Sequence, residues 1–161
     1  MSARVAVFAG TFDPITLGHV DVVRRGLALF DEVVVAIGHN PKKQRTFSVG
    51  ERMELVRSAC GSLGAVRVEA YEGLTVDFAR RIGAVAILRG LRDATDLGFE
   101  APIAHANRAM APGVESVFVL TDPALAFVSS SLMREIAAAG GDTSAWLPAA
   151  AQAALLRVLR G

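Results

Sequence analysis

Hydrophobic residues along the chain occur in short runs that alternate with longer segments of helical spacing. The runs are rich in Val and Ile, and they predict strands at Arg4–Ala9, Glu32–Gly38, Val66–Tyr71, Val85–Leu88 and Glu115–Leu120. The run Val33 to Ile37 is apolar at every position rather than at alternate positions. Such strands are typical of a parallel sheet that is covered by helices on both faces.

The segments between and after these runs carry apolar residues at helical spacing. They predict helices at Gly18–Phe30, Gly50–Cys60, Thr75–Ile82, Asp96–Met110, Ser130–Ala139 and Ala149–Arg160. No internal repeat, low-complexity tract or linker interrupts the chain. The order of strands and helices predicts an α/β fold, a Rossmann-like single domain over residues 1–161 with a five-stranded parallel sheet and helices on both faces.

One predicted helix contains a proline. Pro102 lies inside Asp96–Met110, where it removes an amide donor and its ring meets the carbonyl of Gly98. We therefore expect this helix to be kinked or broken near Pro102.

Composition narrows the possible partners. The chain has 17 Lys and Arg against 16 Asp and Glu, so no global field favours nucleic acid or an anionic membrane. No apolar run approaches the roughly 18 residues of a membrane span. The hydrophobic fraction of 52% is high for a small domain, which favours an oligomer that buries apolar surface between subunits.

The cysteine and histidine content limits the possible disulfides and metal sites. Cys60 is the only cysteine, which excludes an intrachain disulfide and fits a reducing, cytoplasmic location. The stretch Val5 to Ala9 is too short for a signal peptide. The three histidines lack metal-ligand spacing, so we expect no transition metal held by protein ligands.

Polar residues follow several strands at the edge where parallel folds bind ligands. They lie in Gly10–His19, Lys42-Lys43, Arg89–Arg92 and Ser129–Ser131, and Arg134 follows the serines. Because the carboxyl ends of parallel strands gather at one edge, we expect these segments to share a crevice.

The first of these loops has the features of a phosphate site. Gly10 allows a tight turn beside a ligand, Thr11 offers a hydroxyl and an amide, and Gly18-His19 opens a helix whose free amides favour an anion. His19 would then face the phosphates. The alternative is that the polar residues of this loop only make turn and cap hydrogen bonds.

The other segments carry cations and hydroxyls. Arg89 and Arg92 can each bind phosphate oxygens with a planar fork. Lys42 and Lys43 are a weaker indication of a site, since a basic loop is usually solvated. The serine cluster Ser129–Ser131 can cap a helix or present a second helix start to phosphate. Each of these groups could instead be a solvated surface residue.

Several common nucleotide motifs are missing. The chain has no G-x-x-x-x-G-K-[ST] loop, no G-x-G-x-x-G after the first strand and no nucleophile elbow. A P-loop enzyme, ordinary dinucleotide binding and α/β-hydrolase chemistry are therefore not expected.

The motifs that are present match a known family. The chain resembles the bacterial phosphopantetheine adenylyltransferases, members of the nucleotidyltransferase superfamily that carries a T/H-x-G-H motif. That motif is Thr16-Leu17-Gly18-His19 in this sequence. The resemblance also includes Gly10–Thr16, Arg89–Arg92, His105-x-Asn107-Arg108, Glu115–Phe118 and Ser129–Ser131 with Arg134, so it covers almost the whole chain.

The resemblance implies a set of site residues. It implies that His19, Lys43 and Arg92 are catalytic, with His19 stabilising the transition state. Residues that it implies for ATP binding are Thr11, Phe12, His19, Gly90, Leu91, Arg92, Glu100, Leu125, Ala126, Phe127, Val128, Ser129, Ser130 and Ser131. Residues that it implies for 4′-phosphopantetheine binding are Thr11, Lys43, Thr75 and Arg89.

The resemblance also implies the reaction and the assembly. The expected reaction is adenylyl transfer from ATP to 4′-phosphopantetheine, which gives dephospho-coenzyme A and pyrophosphate, with Mg²⁺ brought by ATP. A homohexamer and feedback inhibition by coenzyme A are further expectations. Two alternatives remain at this point: the same chemistry on another acceptor, such as nicotinate mononucleotide or a phosphorylated alcohol, and a non-catalytic nucleotide sensor.

Overall fold

The computed structural model describes residues 3–161 and contains five strands and six α-helices. The strands are β1 (Val5–Gly10), β2 (Glu32–Gly38), β3 (Val66–Tyr71), β4 (Ala86–Leu91) and β5 (Glu115–Leu120). The helices are α1 (Leu17–Gly26), α2 (Val49–Cys60), α3 (Thr75–Arg81), α4 (Ala94–Met110), α5 (Ser130–Ala138) and α6 (Ala149–Leu159). A short 3₁₀ turn, Pro123–Leu125, follows β5.

The strands form one parallel sheet in the order β3-β2-β1-β4-β5. The chain moves outward from β1 to β3 on one side and then returns to add β4 and β5 on the other. The direction of winding therefore changes between β1 and β4, where Phe8 lies opposite Leu88. A crevice opens outside the carboxyl ends of the strands at such a switch point. The predicted Rossmann-like parallel fold is confirmed.

The sheet is buried on both faces because neighbouring residues of each central strand point to opposite sides. Ala6 and Phe8 of β1 pack in the layer that also contains α1, α2, α5 and α6. Val5 and Val7 pack in the opposite layer with α3. Cys60 is fully buried in the first layer, and burial raises the pKa of its thiol to about 11, as fits a structural residue.

The segment Arg89–Leu91 belongs to a strand, not to the loop that we expected. Gly90 pairs with Val119 and Leu91 with Leu120, so β4 continues as far as its neighbour β5 does. Helix α1 also passes close to this strand, since a Cβ on Gly90 would lie 2.8 Å from Cγ2 of Val22. Arg89 is consequently fixed by a ladder of backbone hydrogen bonds, and only Arg92 lies beyond the strand.

We expected α4 to be kinked or broken near Pro102, and the expected break is wrong. Helix α4 runs without interruption from Ala94 to Met110, although Pro102 lies inside it. The carboxylate of Asp93 caps its first turn by accepting hydrogen bonds from the backbone N–H groups of Thr95 and Asp96. Proline removes a single donor from a helix of 17 residues, and the other turns keep their hydrogen bonds.

Helix α4 leaves much of its apolar surface uncovered. None of its residues is buried, and Phe99 is 73% exposed. Further exposed apolar side chains on α4 and β5 are Leu97, Ile103, Met110 and Leu120. None of the described helices is both long enough and apolar enough to cross a membrane.

Helix α6 offers a direct test of the core. Leu155 is fully buried in the layer that contains α1, α2, α5 and α6, whereas Leu159, one turn later, is 43% exposed. We expect Leu155→Ala to lower the free energy of unfolding by about 2–5 kcal/mol, because it removes buried contacts and leaves a cavity. Leu159→Ala should lower it by less than about 1 kcal/mol. Equal losses in urea denaturation of the two variants would contradict this packing.

Candidate active site

A cleft lies at the switch point between β1 and β4. Its walls come from the loop after β1, the start of α1, the end of β4, helix α4 and the segment before α5. Nine of the predicted site residues line it: Phe12, His19, Arg89, Gly90, Arg92, Glu100, Val128, Ser129 and Ser130. Segments far apart in the sequence therefore meet at this edge of the sheet.

Two further cavities contain three of the other eight predicted residues. Thr75 lies in a cavity that it shares with Arg89, Glu100, Ile103 and four other residues of α4 and the sheet. Thr11 and Lys43 lie in another cavity, beside the ends of β2 and β3. Arg89 and Glu100 border both the main cleft and the Thr75 cavity.

The remaining predicted residues line none of these three cavities. Leu91 is buried in β4, and Phe127 packs edge-on against Trp146. The others are Leu125, Ala126 and Ser131. Their assignment to ATP stays a prediction from the resemblance.

His19 is held rigidly at the start of α1. The backbone N–H of Thr16 donates to Nδ1 of His19 over 3.0 Å, and Oγ1 of Thr16 accepts from the backbone N–H of His19 over 3.3 Å. Histidine thus occupies the place of the Glu or Gln of an ordinary capping box. Because Nδ1 accepts a hydrogen bond, the neutral ring carries its proton on Nε2.

The surroundings of His19 favour this neutral form. Its ring packs edge-on against Phe12, with the ring centroids 5.0 Å apart. Burial, together with the positive charges of Arg89 and Arg92, lowers the pKa of His19 from 6.5 to about 4. At neutral pH His19 is therefore an uncharged hydrogen-bond donor at the wall of the cleft.

Each guanidinium nitrogen of Arg89 donates a hydrogen bond within the protein. Its Nε donates to Oε2 of Glu100 over 2.8 Å, and its Nη2 donates to the other carboxylate oxygen. Its Nη1 donates to the backbone carbonyl of Ala9 over 2.9 Å. The bidentate ion pair fixes the guanidinium between β1 and α4 before any ligand binds.

Arg92 has a similar carboxylate partner. Its Nε and Nη2 donate to Asp96 over 3.1 and 3.2 Å, and hydrogen bonds from Arg92 lower the pKa of Asp96. Asp96 and Glu100 are four residues apart and lie on the same face of α4. One helix thus holds both arginines, and an anionic ligand in the cleft must compete with its two carboxylates.

The three serines at the start of α5 have different roles. Ser129 caps the helix by accepting a hydrogen bond from the backbone N–H of Leu132 over 3.1 Å. Ser130 donates its hydroxyl hydrogen to the carbonyl of Pro14 over 2.8 Å and so ties α5 to the first loop. Ser131 accepts a hydrogen bond from Nη2 of Arg134 over 3.3 Å.

The sequence did not identify three charged residues that support this edge. Asp96 could have been found from its spacing of four from Arg92. The carboxylate of Asp13 is buried and accepts hydrogen bonds from the N–H groups of Thr46 and Phe47, each over 2.9 Å. Arg52 is buried beneath the same loop. Its sequence neighbours, Glu51 and Met53, do not predict this burial.

Comparison with known proteins agrees with the geometry. The cytidylyltransferase-like family model matches residues 7–136. With the Thr-x-Gly-His motif at the start of α1 and at the switch point of the sheet, the chain is a member of the nucleotidyltransferase class. A Thermosynechococcus vestitus protein is 48% identical over 90% of this chain and 86% of its own length. Relatives from Nocardioides and Beijerinckia indica are 50% and 45% identical, over 90% and 94% of this chain and 91% and 93% of their own lengths.

All three relatives bear the name phosphopantetheine adenylyltransferase. The chain therefore belongs to the phosphopantetheine adenylyltransferase family.

The neutral state of His19 can be tested by NMR titration of the imidazole nitrogens. We expect His19 of the unliganded protein to gain its second proton near pH 4, with Nδ1 unprotonated above that pH. Arg92→Met should raise the pKa of His19, because one of two neighbouring positive charges is removed. Exposed His105 provides a reference signal in the same spectra.

The same shift predicts the effect of pH on stability. The folded state disfavours protonated His19. Its neutral ring therefore contributes fully to the free energy of unfolding above pH 6.5, and this contribution is lost as the pH falls towards 4. Titration of His19 near 6.5 would contradict the desolvated site.

Proposed function

We propose that the protein transfers the adenylyl group of ATP to 4′-phosphopantetheine, giving dephospho-coenzyme A and pyrophosphate. The observation that carries the proposal is the meeting of His19, Arg89 and Arg92 at the switch-point cleft. The family of the chain supports this substrate pair. The relatives are named phosphopantetheine adenylyltransferase, and the match covers most of their length.

The reaction needs positioning more than acid–base chemistry. The phosphate of 4′-phosphopantetheine is an anion at neutral pH, so it can attack the α-phosphorus of ATP without a general base. The new P–O bond forms as the bond to the β-phosphate oxygen breaks, and pyrophosphate leaves with that electron pair. The enzyme must hold two anions in line and stabilise the charge on the equatorial and leaving oxygens.

His19 is suited to that stabilisation. Its Nδ1 is occupied by the N–H of Thr16, so its remaining polar atom is the Nε2–H donor. A neutral donor held in a desolvated wall keeps its geometry during the reaction and needs no reorganisation. We assign this donor to the α-phosphate oxygens in the transition state.

The two cavities that share Arg89 suggest how the substrates are arranged. ATP would occupy the main cleft, with Arg92, Ser129 and Ser130 around its phosphates. 4′-Phosphopantetheine would reach the cleft from the Thr75 cavity, so that its phosphate meets Arg89 at the border. Lys43 would approach from the neighbouring cavity next to Thr11. Phosphate oxygens would then replace Glu100 and Asp96 on the two arginines.

Mg²⁺ fits this site as a companion of ATP. No group of three or more His, Cys, Asp or Glu side chains in residues 3–161 is arranged to hold a metal ion. The cleft carboxylates, Asp96 and Glu100, are paired with arginines. Mg²⁺ commonly retains water and binds substrate phosphates, so ATP and water would supply most of its ligands, and the ion would neutralise phosphate charge.

The apolar surface of α4 supports an assembly. Leu97, Phe99 and Ile103 are exposed on the same helix that holds Glu100 against Arg89. We propose that this surface is buried between subunits in a homohexamer, in the cytoplasm. Coenzyme A, which contains the product within its structure, would compete for the same cleft as a feedback inhibitor.

The proposal is tested by supplying ATP, Mg²⁺ and 4′-phosphopantetheine and measuring pyrophosphate release. We expect release with this acceptor, and His19→Ala should lower kcat by about 10²–10³ while the Kd for ATP changes much less. The exposed His105→Ala substitution is the control and should leave kcat unchanged. Near-normal turnover of His19→Ala would refute the role of His19.

The same assay separates the alternatives. Pyrophosphate release only with nicotinate mononucleotide or a phosphorylated alcohol would keep adenylyl transfer and change the acceptor. ATP binding with no release for any acceptor would favour a nucleotide sensor. Both outcomes would overturn the substrate pair proposed here.

A further inference from the structure

Arg52 is a buried cation that the proposed reaction does not use. It lies in the second turn of α2, is 2% exposed, and lines neither the main cleft nor the two cavities beside it. Its Nη1 donates to the carbonyl of Thr11 over 2.7 Å and to the carbonyl of Gly38 over 3.3 Å. One guanidinium therefore joins the chain just beyond the end of β1 to the end of β2.

The charge of Arg52 is only partly compensated. Burial lowers the pKa of Arg52, while the carboxylate of Asp13 opposes that shift. Asp13 is itself occupied by the N–H groups of Thr46 and Phe47, and Nε of Arg52 has no hydrogen-bond partner within residues 3–161. Since an apolar side chain of similar volume often serves a core equally well, stability alone explains this arginine poorly.

The bond to Thr11 sets the direction of a peptide group in the first loop. The carbonyl of Thr11 faces Arg52, and a planar trans peptide places the following N–H, that of Phe12, on the opposite side. Phe12 adopts a φ of 49°, a left-handed conformation that residues with side chains seldom take. Among the described residues the N–H of Phe12 has no protein acceptor. This free donor lies in the loop that borders the cleft.

We propose that Arg52 is a positioning residue that holds the Thr11–Phe12 peptide so that the N–H of Phe12 donates to a phosphate oxygen of ATP. The inference rests on the proposed function, because it takes ATP as the ligand of the cleft. Arg52 itself does not touch the ligand. It stabilises the strained φ of Phe12 by donating a hydrogen bond to the preceding carbonyl, that of Thr11.

The test compares the binding of ATP with that of adenosine by calorimetry in the absence of acceptor. The variants are Arg52→Met, which removes the hydrogen bonds to Thr11 and Gly38, and Arg52→Lys, which keeps the charge but loses the planar fork. Arg57→Met is the control, because Arg57 is exposed on the same helix and pairs with Glu54. Urea denaturation establishes that each variant is folded.

We expect Arg52→Met to raise the Kd for ATP at least tenfold and to leave the Kd for adenosine within twofold, since only ATP has phosphates. Arg52→Lys should lie between wild type and Arg52→Met, and Arg57→Met should match wild type. Parallel weakening of ATP and adenosine would show a general structural role and would overturn the proposal. Unchanged ATP binding in folded Arg52→Met, or failure of both Arg52 variants to fold, would also overturn it.

This experiment is separate from the test of the reaction. Binding is measured without 4′-phosphopantetheine, so the ratio of the two Kd values does not depend on the acceptor. A wild-type protein that binds ATP but releases no pyrophosphate would refute the proposed function and leave the Arg52 result intact. Normal pyrophosphate release with an unchanged Kd ratio in Arg52→Met would refute only the role of Arg52.

Discussion

The whole site depends on one constraint, the change of winding direction at β1. All five strands run parallel in the order β3-β2-β1-β4-β5, so the connections on the two sides of β1 leave in opposite directions. The gap between them cannot be filled by a crossover, and a crevice remains at the carboxyl ends of β1 and β4. His19 reaches this crevice from α1 and Arg89 reaches it from β4, although 70 positions separate them in the chain.

The crevice is prepared electrostatically before a ligand arrives. Desolvation keeps His19 neutral, and α4 supplies a carboxylate for each cleft arginine. These carboxylates hold the guanidinium groups in the orientation that an anion needs and balance their charge in a partly desolvated cleft. Because α4 also bears the exposed apolar surface around Phe99, ligand exchange at Arg89 and subunit contacts would act on the same helix.

The pattern of apolar residues was sufficient to predict the sheet and its helices. Continuous runs such as Val33 to Ile37 have to be covered on both faces, and this requirement favours a parallel sheet. The strand ends were less predictable, because the length of β4 depends on its pairing with β5 up to Leu120. The helix around Pro102 also differed from expectation, since one missing donor does not outweigh the hydrogen bonds of the other turns.

The site was predictable where its residues follow strands or carry a motif, as His19 and Arg92 do. Asp13 and Arg52 were missed because their roles arise from burial and from contacts across 34 and 41 positions of the chain, respectively. A polar stretch that contains Arg52 looks like a solvated helix face until the fold places it under a loop. The tautomer of His19 likewise follows from a hydrogen bond with Thr16 that requires a formed helix start.

The central claim is that this cleft transfers an adenylyl group directly between two bound substrates. The stereochemistry at the α-phosphorus tests this most directly, with ATP in which one α-phosphate oxygen is replaced by sulfur in a single configuration. A single in-line displacement predicts inversion of configuration in the dephospho-coenzyme A that forms. Retention would mean two displacements through an adenylylated protein, and it would contradict a site built only to position and stabilise.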